Sequence, residues 1–151
     1  MSDLVRNTIR FILFVFLQVY VLNIMPHLHQ LITPYIYFLF ILWLPFYIKK
    51  GWVLVLGFLL GISVDYYTMT PGLHAAASVL VAFLRPFIIN LFAPKDATEF
   101  SYKEPSPKAM GWNAYLLYAL ILAFCHNFYL LFLEWLSFGS FIHFLMKVVI
   151  T

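Results

Sequence analysis

The sequence predicts an all-α integral membrane protein, a bundle of six transmembrane helices that forms one polytopic domain over residues 1–151. Of the 151 residues, 64% are hydrophobic and only 10% are charged, and the mean hydropathy is +0.93. A soluble domain of this length has no core large enough to bury so much apolar surface, whereas lipid solvates it. The aromatic content of 21% is typical of membrane helices and of the aromatic belts at their ends.

Six apolar stretches separated by polar or proline-containing turns define the predicted spans. No charged residue lies between Arg10 and Lys49, a run too long for one crossing of ~20 residues, and the proline-bounded residues 25–34 divide it. The last stretch is only ~22 Å long at ~1.5 Å per residue, against a hydrocarbon core of ~30 Å, so we expect the natural protein to continue beyond Thr151. The predicted spans are residues 9–24, 31–48, 52–67, 73–92, 112–133 and 137–151, with an aqueous loop over residues 93–111.

The basic residues predict which ends of the spans face the cytoplasm. The alternation of six spans places seven Lys and Arg side chains on one side, while the opposite loops around residues 25–34, 68–72 and 134–137 hold none. By the positive-inside rule, the basic side is cytoplasmic. The sequence therefore predicts a multi-pass protein with a cytoplasmic N-terminus. The seven residues are Arg6, Arg10, Lys49, Lys50, Lys95, Lys103 and Lys108.

Few residues carry recognisable chemistry, so the sequence predicts neither an enzyme nor a protein that holds a cofactor. The basic residues are dispersed between apolar runs, and the pI of about 9.0 therefore does not indicate nucleic-acid binding. His27 and His29 have no third ligand nearby in the sequence and His74 is isolated, so we expect no metal site. Cys125 and His126 are adjacent on a helix, where neighbouring side chains diverge and do not form a nucleophile–base pair.

Charged and polar side chains inside the spans are candidate functional residues, because charge in lipid is costly. Asp65 lies ~20 Å from the cytoplasmic face at the helical rise per residue. It could accept hydrogen bonds from backbone amides of the turn at residues 68–72, or pair with a polar side chain on another span. Arg85 lies only ~12 Å from that face, and we interpret it as extending toward the headgroups. The candidate side-chain partners of Asp65 by depth are His126, His143 and Lys147.

Two stripes of small residues lie on the third and fourth predicted spans. Gly57, Gly61 and Asp65 recur every four residues and share one helix face, and the GxxxG spacing allows another helix to approach closely. The second stripe consists of Ala75, Ser78, Ala82 and Arg85. The tight turn at residues 68–72 makes the two spans antiparallel neighbours. The stripes could face each other, or one of them could face a partner protein.

The glycine stripe also carries a family resemblance. The pattern G-x-x-x-G-x-x-x-D, followed by six residues, Gly72 and then "LHAAASVLVAFL", resembles the MreD family of bacterial rod-shape-determining membrane proteins. The similarity in motif covers residues 57–84, and six short spans with a cytoplasmic N-terminus also agree with that family. The early end of the sixth span departs from a complete member. The positions matched to the family motif are Gly57, Gly61, Asp65 and Gly72.

The resemblance implies a non-catalytic scaffold subunit of the bacterial cell-elongation complex, located in the inner (cytoplasmic) membrane. An MreC-like protein is the expected partner. The actin-like MreB filament, the polymerase RodA and a class B penicillin-binding transpeptidase complete the complex, which couples MreB to peptidoglycan synthesis and cell shape.

An alternative function follows from the fold that the resemblance implies. MreD-like proteins are similar to the six-helix substrate-binding subunits of energy-coupling-factor vitamin transporters. A subunit that captures a small molecule needs an outer pocket with convergent polar groups, and Trp135, His74, Tyr66 and Tyr67 are candidates for its lining. The few polar residues in the predicted interior favour the scaffold, whose interior is filled.

Overall fold

A computed structural model describes residues 3–23, 34–92 and 103–138, with side chains up to residue 136. The described residues are helical or irregular, and none of them forms a β-strand. Four helices are long and apolar enough to cross a membrane, the first of them a continuous helix over Asp3–Leu22. The elements in order are α1, Asp3–Phe16, continued by a π-helix, Leu17–Leu22; α2, Leu39–Leu42; α3, Lys50–Thr68; α4, Leu73–Phe92; α5, Pro107–Met110; and α6, Trp112–Phe138.

Four of the predicted spans correspond to long helices, two of them closely in both bounds. The fourth has the predicted bounds, and the third begins two residues earlier than predicted and ends one residue later. The helix at Trp112 begins where predicted but continues to Phe138, so the expected turn at residues 134–137 is wrong. The first predicted span begins six residues earlier, at Asp3. Residues 139–151, and with them His143 and Lys147, lie outside the described residues.

Helices α3 and α4 form an antiparallel hairpin at the centre of the fold. α3 ends at Met69, whose left-handed backbone (φ 56°) lets its amide bond to the Asp65 carbonyl, a common way to end a helix. Gly72 also has a positive φ, of 86°, which glycine adopts without steric cost. α6 also packs against α4. The turn that joins α3 to α4 comprises only the four residues 69–72.

The predicted second span is wrong as a continuous helix. Residues 34–48 contain only the four-residue helix α2, although several side chains along this segment are completely buried, Tyr37 and Ile41 among them. The break after α2, which ends at Leu42, is explained by Pro45. It has no N–H, its ring clashes with the carbonyl four residues earlier, and it disfavours helical backbone at Leu44.

The irregular segment nevertheless runs from one end of the bundle to the other. The Ile36 amide donates to the Gln18 side chain at 2.9 Å, and the Tyr47 hydroxyl donates to Asp3 at 3.2 Å. Asp3 and Gln18 are 15 positions apart on one continuous helix, or about 22 Å. Irregular backbone at membrane depth is tolerated where protein buries it, as it does here.

Charged side chains gather at the end of the bundle that holds the N-terminus, which we call the ionic end. Arg6 and Arg10 contact Glu104 at 2.5 Å and 2.8 Å, and Lys103 contacts Asp3 at 3.4 Å. The predicted aqueous loop is therefore tied to α1 at residues 103–104, and further along it Ala109 and Met110 are buried. The opposite end of the bundle holds Asp65 and is called the Asp65 end.

Candidate functional site

The two small-residue stripes face each other across the α3–α4 hairpin. A Cβ added at Gly57 would lie 3.0 Å from the Ala82 Cβ and 3.1 Å from the Ser78 carbonyl oxygen. One added at Gly61 would lie 2.5 Å from the His74 carbonyl oxygen. At Gly61 the separation is so short that only glycine fits, whereas at Gly57 a methyl group would require a shift of a few tenths of an ångström. The glycine stripe is thus buried within the chain, and the alternative that it faces a partner is wrong for these two positions.

Asp65 binds the first turn of α4 with both carboxylate oxygens. Oδ1 accepts the amide of His74 and Oδ2 accepts the amide of Ala75, each at 2.9 Å. The Thr70 hydroxyl donates to Oδ1 at 3.0 Å. A carboxylate at this position also interacts favourably with the positive end of the helix dipole. Asp65 therefore caps α4 from the last turn of α3.

Every amide in the first turn of α4 has an acceptor. The Leu73 amide donates to the Thr70 carbonyl at 3.4 Å and that of Ala76 to the Gly72 carbonyl at 2.9 Å, while Asp65 accepts the two between them. The Asp65 carbonyl also accepts the amide of Met69. One residue thus ends α3 with its backbone and starts α4 with its side chain, which makes the hairpin a single hydrogen-bonded unit.

The expectation for Asp65 is partly confirmed. It accepts backbone amides, as one of the two alternatives proposed, but those amides belong to the first turn of α4 rather than to the turn at 68–72, which contributes the Thr70 hydroxyl. The ring nitrogens of His126 contact Tyr37 and Asn127 instead of Asp65. The pairings with His143 and Lys147 lie outside the described residues.

A second buried polar group lies beside this cap. The Tyr37 hydroxyl is 3.0 Å from His74 Nδ1 and 2.7 Å from His126 Nε2, and the three side chains are almost completely buried. The His126 ring also stacks on Phe38, with centroids 4.6 Å apart. The cluster joins α4 and α6 through the irregular segment between α1 and α3.

Proton counting limits what the tyrosine–histidine cluster can do. One hydroxyl carries one proton, so Tyr37 can donate to only one imidazole and the other must donate to it. Both His126 nitrogens are already occupied, because Nδ1 lies 3.3 Å from Asn127 Oδ1, which leaves neither for the neighbouring Cys125. Within residues 3–23, 34–92 and 103–136, no three His, Cys, Asp or Glu side chains come together in a way that could hold a metal ion. The cluster is best suited to fixing the positions of α4, α6 and the irregular segment relative to one another.

Arg85 is buried rather than extended toward the headgroups, so the expected snorkelling is wrong. Its side chain is 3% exposed, and its guanidinium donates to the Leu44 carbonyl, directly before Pro45. The Tyr118 hydroxyl donates to the Leu42 carbonyl at 2.9 Å. Carbonyls of the irregular segment that lack helical partners are thus satisfied by side chains from α4 and α6, as burial requires.

Sequence reasoning missed the residues that support the irregular segment. Gln18 is completely buried and contacts the Pro34 carbonyl at 3.2 Å as well as the Ile36 amide. It lies in the π-helix that continues α1, and π-helical turns are frequent at functional sites. The available signal was a lone polar residue in the apolar run between Arg10 and Asn23.

Comparison with known proteins assigns the chain to no group. No family model, no curated protein and no solved structure matches it.

Proposed function

We propose that this protein is a non-catalytic, MreD-like scaffold of the bacterial inner membrane, which presents a rigid surface to an MreC-like partner. The observation that carries the proposal is the Asp65 cap, because it fixes the turn between α3 and α4. Next to the cap, Tyr66 and Met69 are 75% and 85% exposed, and Tyr67 is also exposed. We call these three residues the turn patch. Exposed aromatic and Met side chains on a rigid support are typical of binding surfaces.

The buried polar groups support a scaffold over a subunit that captures a small molecule. Of the residues suggested for a ligand pocket, His74 is buried and bound to Tyr37, whereas Tyr66 and Tyr67 are exposed. Tyr37, His74 and Asp65 at the Asp65 end therefore have partners within the protein, which favours a filled interior around them. A retained metabolite in the purified protein would favour the capture subunit.

The proposed topology has a cytoplasmic N-terminus and six crossings, one of them irregular. α1, α3, α4 and α6 supply four crossings and the segment over residues 34–49 supplies one, while the sixth lies outside the described residues. The ionic end brings Arg6, Arg10 and Lys103 together, which supports the placement of this end at the cytoplasmic face by the positive-inside rule. The Asp65 end, with the turn patch, then faces the periplasm, where an MreC-like protein has its soluble part.

Replacement of the turn patch tests the proposed function. We expect Tyr66→Ala combined with Met69→Ser to lower recovery of an MreC-like protein at least fivefold in affinity purification from membranes, at unchanged abundance of the variant. The two side chains are exposed, so their loss removes contact surface without opening the core. Quantitative mass spectrometry of the purified complex measures the recovery.

Phe83→Ala is the matched control, because Phe83 is an exposed aromatic residue on α4, away from the turn, and we expect it to retain the partner. Full recovery with the turn-patch variant would place the partner elsewhere. Absence of any MreC-like protein from the wild-type purification would reject the scaffold function itself.

Cysteine labelling tests the orientation. In a Cys125→Ala background, we expect a cysteine at Met69 to react with a membrane-impermeant maleimide in intact cells, because Met69 is exposed at the Asp65 end. A cysteine at Lys108, which is exposed near the ionic end, is expected to react only after the membrane is permeabilised. The reverse pattern would invert the topology and move the turn patch to the cytoplasm.

A further inference from the structure

An open groove of about 650 Å³ lies between α1 and α3 and reaches the ionic end. Its apolar wall is formed by side chains from α1, α3 and the irregular segment, which include Phe11, Phe40, Leu44, Leu56 and Leu59. This volume falls in the range of about 300–1,000 Å³ that is usual for ligand sites. The groove belongs to neither the turn patch nor the Asp65 cap, which lie at the other end of the bundle.

The length of the groove matches half a bilayer. Its lining on α3 extends from Lys49, the residue that precedes the helix, to Leu59, which is ten positions or about 15 Å along the axis. The hydrocarbon core is about 30 Å thick. A transmembrane helix of a partner would run along the whole thickness, whereas an acyl chain of one leaflet ends at its midplane.

Polar and charged groups lie only at the ionic end of the groove. Asn7, Thr8, Tyr47 and Lys49 line it there. Trp52, which is 64% exposed, lies one turn further in, as interfacial tryptophans do. Among the described residues, Lys49 takes part in none of the ion pairs that bind α1 to Lys103 and Glu104. Its charge is therefore available to an anion.

The N-terminus of α3 adds to the positive potential at the same place. Lys49 precedes the 19-residue helix without a side-chain hydrogen bond to cap it, and a Cβ at Gly51 would have no atom within 4 Å. Amides at an uncapped helix N-terminus attract anions, phosphate groups among them. The helix end, Lys49 and the apolar groove together have the chemistry of a phosphate group attached to an acyl chain.

We propose that this groove binds one anionic phospholipid from the leaflet at the ionic end, with its phosphate near Lys49 and an acyl chain along Leu56 and Leu59. The leaflet is cytoplasmic if the proposed orientation holds, but the site itself depends neither on the orientation nor on the MreC-like partner. At this end of the bundle the lipid lies between α1 and α3, and both helices pack against it.

Native mass spectrometry of the full chain in detergent, titrated with dioleoylphosphatidylglycerol, tests the proposal. We expect the wild type to retain one phosphatidylglycerol in preference to dioleoylphosphatidylcholine. Lys49→Glu should weaken the binding roughly tenfold or more, since each basic residue near anionic lipid contributes severalfold. Lys50→Glu makes the same change in net charge one position away, where Lys50 lies over the Phe87 ring, and should stay within about twofold of the wild type.

Leu59→Trp tests the acyl-chain part of the site. Leu59 is 46% exposed and lines the groove, so a larger side chain fills the groove without disturbing the core, and the bound phosphatidylglycerol should be lost. Equal effects of Lys49→Glu and Lys50→Glu would show general surface charge and overturn the site. The site would also be overturned if Leu59→Trp bound phosphatidylglycerol as well as the wild type does, or if the wild type retained the two lipids equally. It would be overturned as well if the wild type carried one copy of another protein instead of a lipid and Leu59→Trp displaced that protein.

Discussion

Gly61→Ala is expected to destabilise the protein by about 3 kcal/mol or more, at or above the upper end of the usual cost of overpacking. The added Cβ would lie 2.5 Å from the His74 carbonyl oxygen and 2.6 Å from the Ala75 nitrogen. These are backbone atoms of α4, which cannot turn aside as a flexible side chain can. The Ala75 Cα would be closer still, so α3 and α4 must move apart by about an ångström or more to reach ordinary contact. This movement also pulls the amides of α4 away from the Asp65 carboxylate.

A graded series of alanine substitutions separates this effect from the general cost of changing a glycine. Gly57→Ala should be less harmful, since its Cβ would meet the Ala82 Cβ at 3.0 Å and the Ser78 carbonyl oxygen at 3.1 Å, and a shift of a few tenths of an ångström relieves both contacts. Gly51→Ala, at the exposed start of α3 with nothing within 4 Å, should be neutral or slightly stabilising, because glycine costs backbone entropy in a helix. Thermal unfolding in detergent measures the melting temperatures of the three variants. Equal melting temperatures for Gly61→Ala and Gly51→Ala would contradict the close approach.

The α3–α4 hairpin could be predicted from the sequence because its signals are local. Gly57, Gly61 and Asp65 recur at the helical spacing, and only a short turn separates them from the small residues of α4. Two helices joined by a connection of only four residues must lie side by side and run antiparallel. The composition likewise predicted membrane-spanning helices, and four are long and apolar enough. The precise amides that Asp65 accepts depend on how α4 sits on α3, which spacing alone does not fix.

The irregular segment could not be predicted from hydropathy. A buried irregular chain and a membrane helix are both apolar, so the composition of residues 34–48 does not distinguish them. The proline at position 45 was the local signal against a helix. The groups that make the segment tolerable come from distant parts of the chain, namely Gln18, Arg85 and Tyr118, and no local pattern joins them.

The same arrangement explains the wrong interpretation of Arg85. Depth along a straight helix placed its side chain within reach of the headgroups, and a guanidinium with no protein acceptor would extend there. The broken segment instead offers the Leu44 carbonyl inside the bundle. The position of a charged side chain in a membrane protein thus follows from the acceptors that surround it as well as from its depth.

The second large effect is expected at Asp65. Asp65→Leu removes the acceptor of the His74 and Ala75 amides and of the Thr70 hydroxyl, in a position where the side chain is 4% exposed. Each buried donor left without a partner costs about 1–3 kcal/mol, so we expect a loss of about 3 kcal/mol or more. Asp65→Asn keeps one carbonyl oxygen but turns an amide group toward one of the donors, and should lose about half as much. Thr70→Val removes one donor and should be the mildest of the three.

Hydrogen–deuterium exchange of the detergent-solubilised protein distinguishes loss of the cap from general unfolding. In Asp65→Leu and Asp65→Asn, the amides at the start of α4, His74 and Ala75, should exchange faster than those in the middle of the helix near Val81, because fraying begins where the acceptor is missing. Ser63→Ala is a suitable control, since its hydroxyl bonds only to the Leu59 carbonyl of its own helix. If Asp65→Leu melted like Ser63→Ala and kept His74 and Ala75 protected, other groups would have to satisfy these amides. The turn patch would then owe its geometry to the glycine contact alone, and the Asp65 cap would no longer support a partner surface.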